Sequence, residues 1–276
     1  MSHHVHPYAH RLGTIRGWQS RWFADTNRGD YQANLRADVL LRQYMEKRLR
    51  GMHIAAIEME RNDKQWKIII KTGRPGFVIG RQGEGATKLK ADILSKCARW
   101  KLQAPKDIRI EIEEVRSPEA NAAIVSQMVA EGLEKRLPFK RVIKQTLERV
   151  MQTYGVKGAR IEISGRLGGA EMSRREFVKG GNLPLQTIRA DVEFAREKAF
   201  MTYGVIGIQV WIYKGEVFDG MEQREERAPR RDDNRRDGRR DSRPARDSRG
   251  PRAPRAAGAA APHAPRAPRA AAATTN

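Results

Sequence analysis

Cysteine is almost missing from this 276-residue chain. Cys97 is the only one, so no disulfide within the chain can hold the fold, and a reducing cytoplasm fits. Long apolar runs are missing too. None approaches the roughly 20 residues that a membrane span needs, which leaves surface attachment alone. The start, MSHHVHPYAHRLG, lacks the apolar middle of a secretory signal. Carboxylates are scarce beside cations: 33 Asp+Glu face 54 Lys+Arg, for a formal net charge of +21. That excess repels itself in a compact state unless a polyanion lies close, so nucleic acid is the first suspect and an anionic membrane surface the second.

Catalytic patterns are equally thin. Neither GxxxxGK[ST] nor GxGxxG stands directly after a strand-like run, so no nucleotide loop is expected. No Ser/His/Asp or Cys/His set can be assigned, and His53 begins a strand without an identifiable mate. Strand alternation sends Glu111 and Glu113 to a polar face, and neither they nor Glu114 implies an acid–base pair. His3, His4, His6 and His10 have no nearby cysteine or carboxylate to complete a tetrahedral set. No metal, no cofactor and no enzymatic activity are expected. Cys97 follows Leu89, Ile93 and Leu94 on one helical face and reads as a core thiol.

What is present is a folded, basic region and a biased tail. From Met221 onward there is no aromatic residue and no lysine, with 15 Arg against 8 Asp+Glu, a net of +7 that leaves +14 for residues 1–220. Such a segment buries too little to offset its chain entropy, and the reading is disorder over 217–276. It is either a solvating extension or a non-specific RNA attractant.

Residues 1–24 read as an irregular extension with Trp18, Trp22 and Phe23, which either anchor it to the protein or, beside Arg16 and Arg21, stack on bases. A helix is expected over 31–50 from Leu35, Val39, Leu40, Tyr44, Met45 and Leu49. Two strand-like runs follow, HIAAIEMER and QWKIIIKTG, with Asn62-Asp63 in the turn. RPGFVIG and EGATKLKADILSKCARW read as a short and a longer helix, and Ile108, Ile110 and Ile112 alternate as a half-buried strand. Past RSPE come two helical patterns, Glu119–Lys135 and Phe139–Tyr154, hinged at Pro138, then ARIEISG, EMSRREFVK, TIRADVEFARE and VIGIQVWIYKGE as a small, mixed sheet. The expected divisions are 1–24, 25–116, 117–216 and the tail, with an α+β fold.

The chemistry-bearing stretch is VIGRQGEG, residues 78–85. A G-x-x-G tip between two short helices, Gly80-Arg81-Gln82-Gly83, is the arrangement of a KH loop, which clamps about four nucleotides of a single strand. Its glycines let a sugar-phosphate backbone lie close, the next helix start adds its positive dipole end, and Val78 and Ile79 offer an apolar floor. The competing reading is a glycine turn that merely joins two helices. In the order helix, strand, strand, helix, GxxG, helix, strand, the tip points to the second KH topology.

The stretches VHPYAHRLG, WFAD, RPGFVIGRQGE, IEISGRLGGAE, IRADV and TYGVIGIQVWIYKGE, in that order from about Val5 to Gly215, resemble the bacterial family of small-subunit ribosomal protein three. The resemblance implies a type II KH domain followed by a C-terminal α/β domain in the head of the subunit. It implies binding of small-subunit ribosomal RNA at the entrance of the messenger RNA channel, separation of message duplexes, and the tenth and fourteenth proteins of the subunit as neighbours. Gln82 stands where the family often carries a second basic residue, and His3 and His4 precede VHP where a lysine is usual. The alternative function is a free KH regulator of single-stranded messages.

The family's strand-opening residues match Lys140, Arg141 and Lys144. At about 100° per residue these three share one side of a helix, and Phe139, Val142, Ile143, Leu147 and Val150 fill the other. Fixed cations can hold single strands by their phosphates without consuming fuel; the competing reading is an ordinary solvated face. In SGRLGGAEMSRRE, Gly168 and Gly169 with Arg166, Arg174 and Arg175 suit contact with folded RNA, unless the glycines simply form a tight turn.

Overall fold

The computed structural model describes residues 5–24, 29–62, 65–102 and 107–218, all within one compact unit. The expected histidine cluster at His3 and His4, Asp63 of the expected turn, and the tail from 219 onward lie outside the described residues.

Two layered halves follow each other. In the first, α2 (Asp30–Arg48) leads to β2 (Ile54–Arg61), β3 (Gln65–Thr72), α3 (Pro75–Ile79), α4 (Glu84–Arg99) and β4 (Asp107–Glu114). β2 and β3 pair antiparallel as a hairpin, and β4 returns parallel to β3 after the α3–α4 crossover. This is the element order expected of the second KH topology. The isoleucines that alternate inward, Ile68, Ile70 and Ile108, meet Leu41 and Met45 of α2 and Leu89, Ile93 and Cys97 of α4 in one core. Burial raises the Cys97 thiol pKa, as suits an inert core thiol.

The helix over 31–50 forms, but its buried face differs from the expected one. Leu35 and Val39 are exposed, while Ala37, Asp38, Leu41 and Met45 turn inward. The reason is a polar group in a core position. Asp38 accepts from the Trp22 indole N–H at 2.8 Å and pairs with Arg61, whose guanidinium also lies 3.8 Å over the Trp66 ring. A buried carboxylate must keep its partners, and these lie on the inward side of the helix.

The second half places α5 (Ala122–Glu134) and α6 (Phe139–Gln152) on one face of a sheet ordered β6 (Arg174–Gly181), β5 (Gly158–Gly165), β8 (Gly204–Glu216), β7 (Ala190–Met201). Every pair in it is antiparallel, so the expected mixed sheet is corrected. Successive strands here are joined by loops and a hairpin, with no helical crossover of the kind that a parallel pair requires. α5 begins at Ala122 rather than Glu119. Pro118–Ala120 form a single 3-10 turn, and the Asn121 side chain then accepts from Ala123 N–H (3.0 Å) as a helix cap. Ile161, Ile163, Ile206, Ile208, Val210 and Ile212 meet Val129, Leu133, Ile143 and Leu147 in the second core.

The N-terminal segment is more ordered than expected. It carries α1 (Pro7–His10) and β1 (Ser20–Arg21), and it touches both halves. β1 extends the first sheet beside β2, with Ser20 opposite Met59. Arg11, fully buried, donates to the carbonyls of Ala190 (2.6 Å), Leu185 (2.9 Å), Thr187 (2.9 Å) and Pro184 (3.3 Å) in the second half and to that of Pro7 (3.0 Å) in its own segment. Arg16 adds ion pairs to Asp191 (2.5 Å) and Glu193 (3.4 Å). Of the three aromatics expected to anchor this segment, Trp22 does so; Trp18 and Phe23 are exposed.

Candidate nucleic-acid interface

The GxxG tip joins α3 to α4 as a 3-10 turn over Arg81–Gly83. Its glycines have different jobs. A Cβ on Gly80 would come within 2.9 Å of the Gly85 nitrogen, and one on Gly85 within 2.5 Å of the Val78 carbonyl oxygen, so these two exist for the close packing of turn on helix. Gly83 has φ +82° and nothing within 4 Å of its missing side chain, so its backbone is open to a ligand. Gln82 itself takes φ +51°, a left-handed conformation that an L side chain adopts at a cost. Gly80, Arg81, Gln82 and Gly83 are all exposed or half-exposed, with Arg81 and Gln82 at the outer rim.

Two parts of the sequence reading change here. Val78 is buried in the first core and cannot serve as a floor for bases. The exposed apolar surface beside the tip is Ile79 with Phe77, which is 69% exposed and has the Arg74 guanidinium 6.0 Å over its ring. Phe77 is legible in the sequence as an aromatic directly before the apolar pair Val78-Ile79. The α4 start carries no side-chain cap, and its first N–H, that of Glu84, donates to the Arg81 carbonyl within the turn. Glu84 stands in that same turn, 3.1 Å from Lys88, and its charge offsets part of the dipole.

On α6 the sequence reading of two opposed sides holds in space. Val142, Ile143, Thr146, Leu147 and Val150 are buried, and Lys140, Arg141 and Lys144 are exposed, lining one shallow groove with Gln145 and Glu148. None of the three cations takes part in an ion pair among the described residues. Fixed on a packed helix and unpaired, they offer charge to an outside anion. Glu148 shares their side, so the face is not purely cationic.

Phe139 draws separate candidates together. Lys140 lies 6.0 Å and Arg174 5.5 Å from its ring, and a Cβ on Gly168 would reach it at 4.0 Å. The Arg166–Ala170 loop, the β6 start and the α6 start therefore form one neighbourhood. Gly168 (φ +68°) and Gly169 (φ +83°) take left-handed turn conformations, and Arg166 braces the loop by donating to Ala170 (2.9 Å) and Tyr203 (3.3 Å) carbonyls. Arg174 and Arg175 do not act as a pair. Strand alternation sends Arg174 to the helix side and Arg175 to the opposite face, where it meets Glu162 at 3.0 Å.

Other candidates resolve into structure. His53, buried at a left-handed φ of +54°, faces Glu131 at 2.9 Å. Glu111 and Glu113 pair with Lys67 and Lys71. No group of three or more possible metal ligands occurs among the described residues, and no described helix is long and apolar enough to cross a membrane. Arg11 escaped sequence reasoning, because five carbonyls that it gathers carry no side-chain signature.

Comparison with known proteins agrees with this geometry. Residues 40–120 match the KH domain family, and residues 129–212 match the family described as ribosomal protein S3, C-terminal domain. Small ribosomal subunit protein uS3 of Clostridium novyi is 43% identical over 226 residues, covering 82% of this chain and 98% of the relative. The protein of that name from Shewanella amazonensis is 42% identical over 221 residues, covering 80% and 92%. That from Idiomarina loihiensis is 39% identical over 236 residues, covering 86% and 100%. The two halves, their order and the match over nearly the whole of each relative agree: the chain belongs to the small ribosomal subunit protein uS3 family.

Proposed function

We propose that this protein is a structural, non-enzymatic RNA-binding constituent of the cytoplasmic small ribosomal subunit, and that it binds ribosomal RNA in the subunit head and lines the entrance of the messenger RNA channel. In this reading the divisions 25–116 and 117–216 act as a KH module and a C-terminal module, with neighbours the tenth and fourteenth proteins of the subunit. The Gly80–Gly83 tip, with Arg81 and Gln82, meets the RNA backbone through the open Gly83. The loop around Arg166, Gly168 and Gly169, with Arg174, is a second contact with ribosomal RNA.

The observation that carries the reading is the exposed, unpaired triad Lys140, Arg141 and Lys144 on a helix whose other side is locked into a core. Cations without internal partners attract phosphates, and a helix packed on its other side keeps them in one row along a separated strand. The test is translation, by ribosomes carrying Lys140→Ala, Arg141→Ala and Lys144→Ala together, of messages with and without a downstream hairpin. The expected result is slowed reading of the hairpin message alone. Equal rates on both messages, at the wild-type level, would refute the assignment.

A further inference from the structure

The two sheets each turn one face away from their helices, and the two faces differ in charge. On the first, Arg21, Lys67, Lys71 and Arg109 stand among Glu58, Glu60, Glu111 and Glu113, cation for carboxylate, in a continuous set of ion pairs. That face is electrically complete. On the second, alternation and register bring Arg160, Arg175, Lys179, Arg196 and Lys198 to one side with a single carboxylate, Glu162. Glu162 is already held between Arg160 (2.6 Å) and Arg175 (3.0 Å), so it offers nothing to a basic partner. Lys179, Arg196 and Lys198 enter no ion pair among the described residues.

Aromatic rings lie among these charges. The Arg160 guanidinium sits 4.4 Å over the Phe177 ring and 5.1 Å over that of Trp211, which orients both rings. Phe177 remains 52% exposed, and the Arg160 Nε–H has no acceptor. One end of the face is roofed, where His6 packs 4.7 Å from Phe194 and Leu183 covers Val192 and Tyr213. The rest, on the β6 side, is open.

We propose that this open sheet face is a second RNA-binding surface, taking a single-stranded or looped RNA segment with a base stacked on Phe177 and its phosphates met by Arg175, Lys179 and Lys198. A four-stranded sheet with exposed aromatics and flanking cations is a known solution for unpaired bases. The excess of five cations over one clasped carboxylate selects a polyanion over an ordinary protein surface. The site is separate from the α6 triad, because α6 packs on the opposite face of the same sheet.

The test is ultraviolet cross-linking of the full chain to a mixed-sequence single-stranded oligoribonucleotide, and of assembled small subunits to their own RNA, with the attached peptides mapped. The expected result is a nucleotide on the β6 peptide at Phe177 in both. In a chain carrying R175Q, K179Q and K198Q its yield falls severalfold, while yields at residues 80–83 and on α6 stay at the wild-type level. F177A abolishes the β6 adduct alone. An unchanged β6 yield in the triple variant overturns the proposal, as does a fall at all sites alike. So does finding Lys179 and Lys198 of assembled subunits cross-linked to another protein with no nucleotide at Phe177. Failure here leaves the α6 assignment standing, since hairpin translation reads that separately.

Discussion

The Gln127 side chain holds both backbone polar groups of Ile54: Ile54 N–H donates to Gln127 Oε1 at 3.0 Å, and Gln127 Nε2 donates to the Ile54 carbonyl at 2.9 Å. An α5 side chain thereby acts as one more strand residue at the β2 edge of the other half. Around it, His53 meets Glu131 at 2.9 Å and Arg50 meets Glu134 at 2.6 Å, so α5 is bound to the first half along its length. A strand start left unpaired here would lose two hydrogen bonds at once. Gln127→Leu is expected to cost about 1–3 kcal/mol for each orphaned group. Denaturant unfolding checks this through a lower midpoint.

Arg11 sets the second expectation. Its guanidinium fans across five carbonyls, which an ammonium with three donors cannot reproduce. Arg11→Lys should therefore fail to rescue Arg11→Ala. Both variants should raise amide hydrogen exchange at residues 7–16 and 183–190, and leave that of α4 unchanged. Equal protection in Arg11→Lys and wild type would contradict the fan geometry.

The glycines of the tip separate fold from binding. Gly83→Ala meets no atom and bears only the left-handed backbone cost, about 1 kcal/mol. It should fold and bind single-stranded RNA less well, because the added methyl occupies the open approach. Gly85→Ala would press on the Val78 and Ile79 carbonyls at 2.5 and 2.8 Å, and should lower the melting temperature more. Thermal melts beside oligoribonucleotide titrations distinguish the two.

His6 gives a pH dependence with a definite sign. Burial holds its imidazole below the ordinary 6.5, and Arg196 adds to the effect. The folded state then binds fewer protons than the unfolded chain, so stability is lost as pH falls below about 6.5 and levels off beneath the folded value. In the neutral form Nδ1 accepts the Ala9 N–H at 3.4 Å, a contact that protonation removes. His6→Asn retains an acceptor and should flatten that part of the melting-temperature profile between neutral and mildly acidic pH.

Much of this was legible in the chain itself. The α6 division was readable because apolar and basic residues alternate at helical spacing, and GxxG between two helices fixed the place of the tip. The α2 face was not readable. Asp38 takes a core position through Trp22 and Arg61, partners distant in sequence, while the apolar Leu35 and Val39 stay outside. The opposed directions of Arg174 and Arg175 could have been had from strand alternation. Arg11 could not, since the carbonyls of residues 184–190 are brought to it only by the finished fold.

The most direct measurement places a photoreactive nucleotide in a message downstream of the decoding site, bound to ribosomes that contain this protein, and maps the adduct. The account predicts attachment within residues 139–149, lost when Lys140, Arg141 and Lys144 are all Ala. Attachment only to other proteins, with the α6 peptide free of nucleotide at every downstream position probed, would contradict it.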